Sequence, residues 1–521
     1  MHADMRSIAD LLRSRASDGP ASVAMRCEGR DTTLAALDRR SSQVAHGLMQ
    51  DLRQSQDRVA VLDTNSETFF ELLFGAAKAN RVLVPINNRL APSEMADVVN
   101  DAGVELLFVG AEFLQTAELL QRSCPGVRQI VTLGGYHDGW EDYASWRDRQ
   151  PHADPDIAVD RCTVILLVYT SGTTGRPKGV QLTHENLLTN APLLVQEFGS
   201  SPDKDVGLVC MPLFHVSGSL WALSCIHASV PIVILRRVAP LDVLRAISGH
   251  RVTKALLVPV ILQMMLDAPG RETFDVSSLD FVLYGASPIS LHLLRRTLAT
   301  FTCNFGQVYG LTETAGAITY LAPQDHDVDN PVRLQSCGKP LSHVKIRIID
   351  ENGRDVPGPG DIGEIVCQTA QNMKGYWKRP EETAAVLRDG WLHTGDAGYF
   401  DEDGYLYIHD RIKDMIISGG ENIYPAEVER TLCGHSAVAE VAVIGIPDDR
   451  WGEAPTAFVV KKPGHETTAE ELIEFCRQRI ATYKIPRSVE FVDALKRNAA
   501  GKLIKHELRA PYWAGRSRRV N

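Results

Sequence analysis

The sequence predicts an α/β protein in which a large N-terminal domain of mixed, largely parallel sheets layered with helices precedes a smaller α+β domain. Its 521 residues exceed what one ordinary hydrophobic core accommodates, so at least two domains are expected. Strand-like apolar runs alternate with helix-like segments through the first half, and this pattern changes after Arg411. We therefore predict one domain at 1–411 and a second at 412–521.

The N-terminal segments justify the parallel sheet. "RVAVLD" at 58–63 predicts a buried strand, and a helix is expected to begin after Ser66. "RVLVPIN" at 81–87 predicts a second strand, and a helix that opens at Ser93 leads to the strand-like run at 104–110. Strands separated by single helices are typical of a parallel sheet with helices on its faces.

The later segments predict antiparallel strands and the second domain. The stretch at 343–368 alternates in polarity and contains Asn-Gly and Pro-Gly turns, which indicates a β-rich subdomain. After Arg411, the segment at 426–447 has the pattern of a helix followed by a strand. The segment at 469–492 has the pattern of helix, loop and strand, so the C-terminal part is expected to fold as a separate α+β unit.

Composition excludes several classes of protein. A formal net charge of −10 argues against nucleic acid as the main partner. The ten cysteines are scattered without disulfide or metal-site spacing, which favours free thiols in a reducing cytoplasm. The N-terminus lacks the apolar core of a signal peptide, and no run approaches the roughly 20 apolar residues of a membrane span. We expect a cytoplasmic protein without integral membrane association; a homodimer is one possible state.

A loop rich in glycine and hydroxyl groups, "YTSGTTGRPKGV" at 169–180, follows a buried apolar strand. Glycines let backbone N–H groups approach an anion, hydroxyls add donors, and Lys178 adds a mobile positive charge. The loop is not a nucleoside-triphosphatase P-loop, because Pro177 and Gly179 flank the lysine where that motif needs Gly and Ser or Thr. A phosphate-binding loop is one interpretation, and a surface turn without a ligand is the other.

The string "VYGLTETAG" at 308–316 presents a hydroxyl and a carboxylate at the end of a predicted strand. Gly310 permits a bend, after which Thr312 and Glu313 follow together. A carboxylate beside phosphates repels them unless a hard cation lies between, so Glu313 is a candidate magnesium ligand. The alternative is that Thr312 and Glu313 simply begin a helix.

Two further strings supply a carboxylate and a lysine. In the long stretch at 391–429, Asp396 can accept two hydrogen bonds from vicinal hydroxyls, and Arg411 can donate to the same group. Near the C-terminus, "NAAGKLIKHEL" at 498–508 places Lys502 in a loop of small residues. Taken singly, these residues also fit a strand-end aspartate, a surface ion pair and a solvated lysine.

Together these strings resemble the adenylate-forming superfamily of acyl- and aryl-CoA synthetases, luciferases and peptide-synthetase adenylation domains. The resemblance covers nearly the whole chain and is strongest to fatty acyl-CoA and 4-coumarate-type CoA ligases. It implies an acid–thiol ligase that joins a carboxylic acid to ATP, giving an acyl-adenylate and pyrophosphate, and then transfers the acyl group to coenzyme A with release of AMP. It also implies that the C-terminal domain is mobile.

The resemblance implies ATP, Mg²⁺ and coenzyme A as cofactor or co-substrates. Lys502 is the implied catalytic lysine. His215, Thr312 and Glu313 act with it, and Glu313 also holds the metal. Lys413 is the implied hinge of the small domain. The implied ATP- and AMP-binding residues are Thr170, Ser171, Gly172, Thr173, Thr174, Lys178, Gly285, Ala286, Ser287, Tyr309, Gly310, Thr312, Asp396 and Arg411.

The acid and coenzyme A receive predicted contacts as well. The candidates for the acid pocket are His215, Ser217, Trp221, Tyr284 and Leu311. The candidates for coenzyme A are Ser418, Gly419, Gly420, Arg237, Trp451 and Lys484, the last three of which also fit surface charge and domain packing. Because no basic residue obviously belongs to the pocket, we expect a mainly apolar monocarboxylic acid. Trp221 would shorten the pocket if it faces inward.

Three alternatives remain open from the sequence. A stand-alone adenylation enzyme would load a carrier protein; the chain continues for only 19 residues after Lys502, so we expect no carrier module in cis. A non-catalytic nucleotide-binding homologue would keep the scaffold without turnover. A luciferase-type oxygenation belongs to the same superfamily, but no residue selects it.

Overall fold

The computed structural model of the protein describes residues 5–171, 177–286, 289, 291–330, 332–350, 352–411, 416–423, 425–495 and 505–514. Four sheets and the helices between them form a mixed α/β fold, which confirms the predicted fold class. The predicted domain boundary adjoins residues 412–415, which lie outside the described residues, and stays a prediction.

The first sheet has nine strands with a parallel centre. Helices cover it because parallel neighbours need crossover connections. At one edge a hairpin, Asn304–Leu311 with Gly316–Leu321, turns the chain antiparallel. In spatial order the strands are Lys339–Pro340, Gly316–Leu321, Asn304–Leu311, Phe281–Gly285, Lys254–Leu257, Gly207–Val209, Ile232–Ile234, Val23–Cys27 and Arg30–Thr33.

The second sheet has eight strands and contains the βαβ units expected from residues 58–110. Arg58–Leu62 pairs in parallel with both Val82–Pro85 and Val104–Gly110, as the alternation of strand and helix predicts. In spatial order the strands are Gly375–Tyr376, Pro177–Thr183, Val164–Ser171, Val82–Pro85, Arg58–Leu62, Val104–Gly110, Gln129–Leu133 and Glu141–Asp142.

Two five-stranded sheets complete the fold. The third is antiparallel, as the turns within 343–368 predict, and its strands are Lys345–Ile349, Gly363–Gln368, Trp391–Phe400, Leu387–Arg388 and Leu406–Arg411. The fourth is built from the C-terminal part, and its strands are Glu421–Ile423, Ile416–Ser418, Gly452–Lys461, Val438–Asp448 and Ser488–Phe491.

The helices lie between and over the sheets. The α-helices are Ile8–Asp18, Leu34–Asp51, Glu67–Lys78, Pro92–Ala102, Leu114–Ser123, Tyr143–Asp148, His184–Asn190, Leu193–Gln196, Val216–His227, Pro240–His250, Pro259–Asp267, Leu291–Thr300, Pro380–Val386, Pro425–Cys433, Ala469–Arg477 and Lys505–Trp513. Short 3₁₀ turns are Ala111–Phe113, Arg271–Thr273, Thr312–Thr314, Pro323–Asp325, Arg333–Gln335 and Thr482–Lys484. None of the helices within the described ranges is long and apolar enough to span a bilayer.

Local chemistry explains several of these boundaries. The helix Ala469–Arg477 starts at a capping box in which the Thr468 hydroxyl accepts from the Glu471 N–H. Pro92 stands in the first turn of its helix, where its missing N–H costs nothing. All ten cysteines are free thiols, as their spacing predicted.

Candidate active site

One large cavity, about 490 Å³, collects most of the predicted site residues. It opens where the parallel strands Phe281–Gly285 and Asn304–Leu311 of the first sheet and Val164–Ser171 of the second sheet end. The carboxyl ends of parallel strands are the usual place for a ligand in an α/β fold, because the connecting loops diverge there. Residues of the third and fourth sheets, such as Asp396 and Gly420, line its remaining walls.

Asp396 forms the polar end of the cavity together with residues from another sheet. Its side chain is only 2% exposed and accepts a hydrogen bond of 2.7 Å from the Tyr309 hydroxyl. Its backbone pairs directly with Arg411 across two antiparallel strands. The sequence spacing of 15 residues between Asp396 and Arg411 thus becomes a cross-strand neighbour pair. A buried carboxylate next to a basic residue suits recognition of a diol.

The hairpin after Asn304–Leu311 presents Thr312 and Glu313 to the cavity. A side chain at Gly310 would overlap the Gly316 carbonyl oxygen, so only glycine allows the two hairpin arms this close. The Thr314 hydroxyl donates to Gly316 O at 2.7 Å, and this bond stabilises the turn between the two arms. Glu313 accepts a hydrogen bond of 2.8 Å from the Tyr376 hydroxyl, which orients its carboxylate.

Thr170 and Lys178 stand opposite each other at the cavity on neighbouring antiparallel strands. The Lys178 ammonium bonds to Glu382 and lies 5.2 Å from the centre of the Tyr376 ring. Tyr376 therefore contacts both Lys178, from the predicted phosphate loop, and Glu313. Gly172, Thr173 and Thr174 lie outside the described residues.

Among the described residues, no cluster of three or more His, Cys, Asp or Glu side chains could hold a metal ion. Glu313 is a single carboxylate at the polar end of the cavity, and Mg²⁺ is commonly held by one or two carboxylates with substrate phosphates and water. The chemistry of Glu313 therefore fits a magnesium ion that arrives with a nucleotide.

The helix Val216–His227 forms one wall of the apolar end. His215 is its N-cap residue, and Ser217, Leu220 and Trp221 line the cavity along one face. The Trp221 indole N–H donates to Leu208 O at 2.9 Å, which holds the ring in one orientation. Trp221 thus faces the cavity, the condition under which a shortened pocket was expected.

Glu421 joins the C-terminal part of the chain to this wall. Its carboxylate bonds to Arg89 and lies 3.3 Å from His215 Nε2. Burial alone would raise the pKa of Glu421, but His215 and Arg89 outweigh it and lower the pKa to about 2. Glu421 directly follows the predicted string Ser418–Gly420, of which Gly419 and Gly420 line the cavity.

Lys484 lines the cavity, but its ammonium already has partners. It was predicted to meet the phosphate of coenzyme A; its side chain is 3% exposed and bonds to Glu94 at 3.0 Å and Glu427 at 2.5 Å. Burial lowers the pKa of Lys484, yet the two carboxylates more than compensate and raise it. A phosphate would have to compete with these carboxylates, so the contact of Lys484 with coenzyme A stays a prediction, and in this structure Lys484 connects the two parts of the chain.

Two predicted contacts, Tyr284 and Arg237, are not among the residues that line the cavity. Tyr284 was predicted in the acid pocket, but it is fully buried in the core and bonds to Gln307 and His326; its neighbour Leu283 lines the cavity instead. Strand alternation explains the error, because adjacent side chains point to opposite faces. Arg237, predicted to bind coenzyme A, is 72% exposed and pairs with Glu112 on the surface.

Trp451 lines the cavity beside the glycine string. Its carbonyl oxygen accepts a 2.7 Å hydrogen bond from the Gly419 N–H, and a Cβ added to Gly419 would stand 2.7 Å from Cε3 of the indole. The guanidinium groups of Arg450 and Arg487 lie 4.8 Å and 5.3 Å from the centre of its ring. Two cations beside an aromatic ring form a suitable surface for a stacked, negatively charged nucleotide.

Several predicted residues have other placements. Ala286, Gly310 and Leu311 line the cavity, whereas Gly285 lies just behind it in the sheet. Ser418 is buried in its strand next to Gly419. Ser287, Lys413 and Lys502 lie outside the described residues, as do the side chains of Ser171 and Arg411.

Sequence reasoning missed Arg89, Tyr376 and Asn190, all of which line the cavity. Each comes from a segment without a recognisable motif and reaches the cavity only through the tertiary fold. Glu421 could have been found, because it immediately follows the glycine string that was singled out.

The sequence matches two known protein families. Residues 12–377 match the AMP-binding enzyme family, and residues 427–502 match the AMP-binding enzyme C-terminal domain. Among curated proteins, the chain is 40% identical to the fatty acid–[acyl-carrier-protein] ligase ScoC of Streptomyces coeruleorubidus, with 100% of this chain and 99% of that protein covered. It is 39% identical to feruloyl-CoA synthase of an Amycolatopsis species, over 95% of this chain and 97% of that protein.

Among solved structures, o-succinylbenzoate CoA synthetase from Bacillus subtilis resembles the chain in two states. A double mutant bound to the product analogue OSB-NCoA gives a TM-score of 0.84, with 31% identity over 96% of this chain and 98% of that one. The complex with the acyl-adenylate intermediate OSB-AMP gives 0.69 at the same identity and coverage. The motifs, the cavity and these matches agree, and the chain belongs to the adenylate-forming family of AMP-binding enzymes.

Proposed function

We propose that the protein is an ATP-dependent acid–CoA ligase that forms an acyl-adenylate and then a thioester. One observation carries this proposal: the same cavity is lined by Asp396 and Glu313 at a polar end, by Trp221 at an apolar end, and by Gly419 of the glycine string. The three regions suit the nucleotide, the acid and the thiol, and they meet where a carboxylate could contact both phosphate and thiol.

In the adenylation step, the acid carboxylate attacks the α-phosphorus of ATP and pyrophosphate leaves. Asp396, held by Tyr309, would accept hydrogen bonds from the ribose hydroxyls. Thr312 would donate to the α-phosphate, and Lys178 would exchange Glu382 for a phosphate oxygen. Glu313 would hold Mg²⁺, which offsets the phosphate charge. Lys502 would stabilise the negative charge that develops between carboxylate and phosphate.

In the thioester step, the thiol of coenzyme A attacks the acyl carbon of the adenylate and AMP leaves. Gly419 and Gly420, both at positive φ, would leave room for a narrow pantetheine chain. Trp451, with Arg450 and Arg487, would bind the nucleotide of coenzyme A beside the glycine string. Rotation of the C-terminal part about Lys413 would exchange Lys502 for this glycine string.

The present domain arrangement supports assignment of the described conformation to the second step. The chain resembles the product-analogue complex of the Bacillus enzyme more closely than its adenylate complex, with TM-scores of 0.84 and 0.69. Both comparisons involve the same enzyme, the first as a double mutant, at the same identity and coverage, so overall sequence divergence does not account for the difference. The contacts of Glu421 with His215 and of Lys484 with Glu94 hold this arrangement.

A carrier protein is the second candidate acceptor, and one observation favours it. The relative ScoC, 40% identical over the whole chain, is a fatty acid–[acyl-carrier-protein] ligase. A phosphopantetheine arm on a carrier presents the same thiol as coenzyme A, so the glycine string would serve either acceptor. The two differ beside the glycine string, where Trp451 and its arginines would meet a nucleotide in one case and a protein in the other.

The test is mass spectrometry of the products from ATP, Mg²⁺ and a panel of aliphatic and aryl acids, with coenzyme A, with a phosphopantetheinylated carrier, and with neither. Acyl-CoA and AMP would support the proposal and reveal the acid class. Acyl-adenylate that coenzyme A leaves unchanged but the carrier consumes would establish the second candidate. No product from any acid would contradict both. Removal of Mg²⁺ with EDTA should abolish adenylate formation in either case.

A further inference from the structure

The apolar end of the cavity contains two polar side chains for which the described part of the chain supplies no hydrogen-bond partner. Its walls come mostly from large apolar residues: Leu193, Phe198, Met211, Leu256, Ile261 and Met264. Asn190 and Ser224 also line it, and each is 5% exposed. Within the described ranges, the side chains of Asn190 and Ser224 make no hydrogen bond with the protein. By contrast, the other deeply buried polar residues of the cavity, such as Asp396 and Glu421, are bonded.

Ser224 departs from what a buried serine in a helix normally does. Such a serine usually donates to the carbonyl oxygen one turn earlier. In the same helix, Ser219 donates to His215 O at 3.1 Å in this way. Ser224 lies one turn beyond Leu220 on the cavity face and makes no equivalent bond. Its hydroxyl is thus free to meet a ligand.

Asn190 reaches the same stretch of wall from the end of the helix His184–Asn190. A Cβ added to Gly316 would stand 2.9 Å from the Asn190 amide nitrogen and 3.6 Å from Leu220 Cδ1. Gly316 therefore leaves the room that the amide occupies, and the amide lies beside the helix that carries Ser224. Both polar groups line the cavity, one from each of these two helices.

Taken together with the proposed function, on which this inference rests, the geometry points to a hydroxyl-bearing acid as substrate: we propose that Asn190 and Ser224 hydrogen-bond a hydroxyl group on the ring or chain of the acid. An amide and a serine hydroxyl each donate and accept, and a hydroxyl is the ligand group that does both. A hydrocarbon acid would leave both side chains buried without partners, which is unfavourable. A pocket built to bond a hydroxyl selects strongly against the analogue that lacks it.

The experiment measures pyrophosphate release with ATP and Mg²⁺ for matched pairs of acids. Each pair is a hydroxylated acid and its hydrocarbon parent: hydroxycinnamic and cinnamic acids with the hydroxyl at each ring position, and straight-chain acids with the hydroxyl moved along the chain. For at least one pair, we expect kcat/KM to favour the hydroxylated acid by about tenfold or more. Equal or better use of the parent in every pair would overturn the inference.

Variants test the two side chains directly. Asn190→Leu and Ser224→Ala should each reduce the ratio of kcat/KM between hydroxylated acid and parent by about tenfold, while the parent reacts at least as well as before. Ser219→Ala is the matched control, because its hydroxyl is already bonded within the same helix; its ratio should not change. A ratio unchanged in both Asn190→Leu and Ser224→Ala would overturn the inference.

The outcomes distinguish this inference from the proposed ligase function on which it rests. Turnover of parent acids without any preference for hydroxyl would leave the ligase proposal intact and remove only the role of Asn190 and Ser224. Absence of pyrophosphate release with every acid would overturn the ligase proposal and the inference with it. The wild-type ratios decide the question even if one variant fails to fold.

Discussion

The two faces of the cavity are held in different ways. The face from residues before 412 is fixed by hydrogen bonds and close backbone contacts, such as Tyr309 to Asp396 and the Gly310–Gly316 hairpin. The face from the C-terminal part is held by ionic contacts made across the boundary, chiefly Glu421 with Arg89 and Lys484 with Glu94. Hydrogen-bonded sheet is suited to a permanent surface, whereas a few side-chain ion pairs can be exchanged. We call the first the fixed face and the second the replaceable face, because the proposed rotation of the C-terminal part would exchange only the second.

The largest expected effect comes from Lys502, in the C-terminal part of the chain. Lys502→Ala should lower adenylate formation by about three decades, since a unit charge about 4 Å from the reacting atoms contributes roughly 4 kcal/mol at intermediate screening. Thioester formation from supplied acyl-adenylate should be retained. Stopped-flow assays of each half-reaction check this, and Lys505→Ala, whose lysine pairs with Glu429, is the control. Equal loss in both half-reactions would contradict the assignment.

A variant on the fixed face should affect both half-reactions, because ATP and the acyl-adenylate share a ribose. Asp396→Asn removes the charge and should reduce kcat/KM for ATP about 10- to 100-fold, as expected for loss of hydrogen bonds to a charged group. Use of supplied acyl-adenylate should fall as well. Asp325→Asn is a matched control, because Asp325 accepts a similar 2.7 Å bond from Tyr405 away from the cavity. An effect confined to adenylation would contradict the expectation that a residue of the fixed face serves both half-reactions.

Glu421 tests the ionic contacts of the replaceable face. Glu421→Gln should slow transfer to coenzyme A about tenfold and leave adenylation unchanged, since the neutral amide loses its ionic attraction to Arg89 and weakens the contact with His215 Nε2. Because the pKa of Glu421 is lowered to about 2, its carboxylate is fully ionised at any pH above the ordinary pKa of glutamate. The stabilisation that this charge provides is lost only as the pH falls toward 2. Single-turnover transfer rates near neutral pH therefore give the full effect. Slower adenylation in this variant would show that Glu421 serves the fixed face too.

The smallest effect is expected at Trp221, on the apolar wall. Trp221→Ala should enlarge the pocket and shift the preference for acids severalfold toward longer or bulkier ones. The ratio of kcat/KM across an acid series measures this shift. Trp221→Phe keeps most of the bulk while it removes the bond to Leu208, so it should change the ratio less. Identical series for wild type and Trp221→Ala would show that the indole does not limit the acid.

The sequence predicted the fixed face better than the replaceable one. The chemistry of the fixed face can be recognised from short contiguous strings that contain Asp396, Thr312 and Glu313. The structure brings these three residues to one cavity. Tyr376 and Arg89 were not predicted, because their role depends on which strands and loops become neighbours.

The error at Tyr284 and the unforeseen partner of Lys484 have the same origin. Tyr284 directly follows Leu283, which lines the cavity. Because adjacent side chains of a strand point to opposite faces, Tyr284 points into the core. Lys484 looks like a free cation in the sequence, but Glu94, 390 residues earlier in the chain, neutralises it in the fold. The fold class, by contrast, follows from periodicity and turn residues, which are local properties.

The burial of Glu421 between His215 and Arg89 has a consequence for turnover. If the C-terminal part turns away as proposed, this carboxylate must recover its water, and on return it must lose that water again. Each catalytic cycle would then include one hydration and one dehydration of a charged side chain. These events involve solvent rather than bond chemistry, so viscosity and solvent isotope content should affect the overall rate even where both half-reactions are fast.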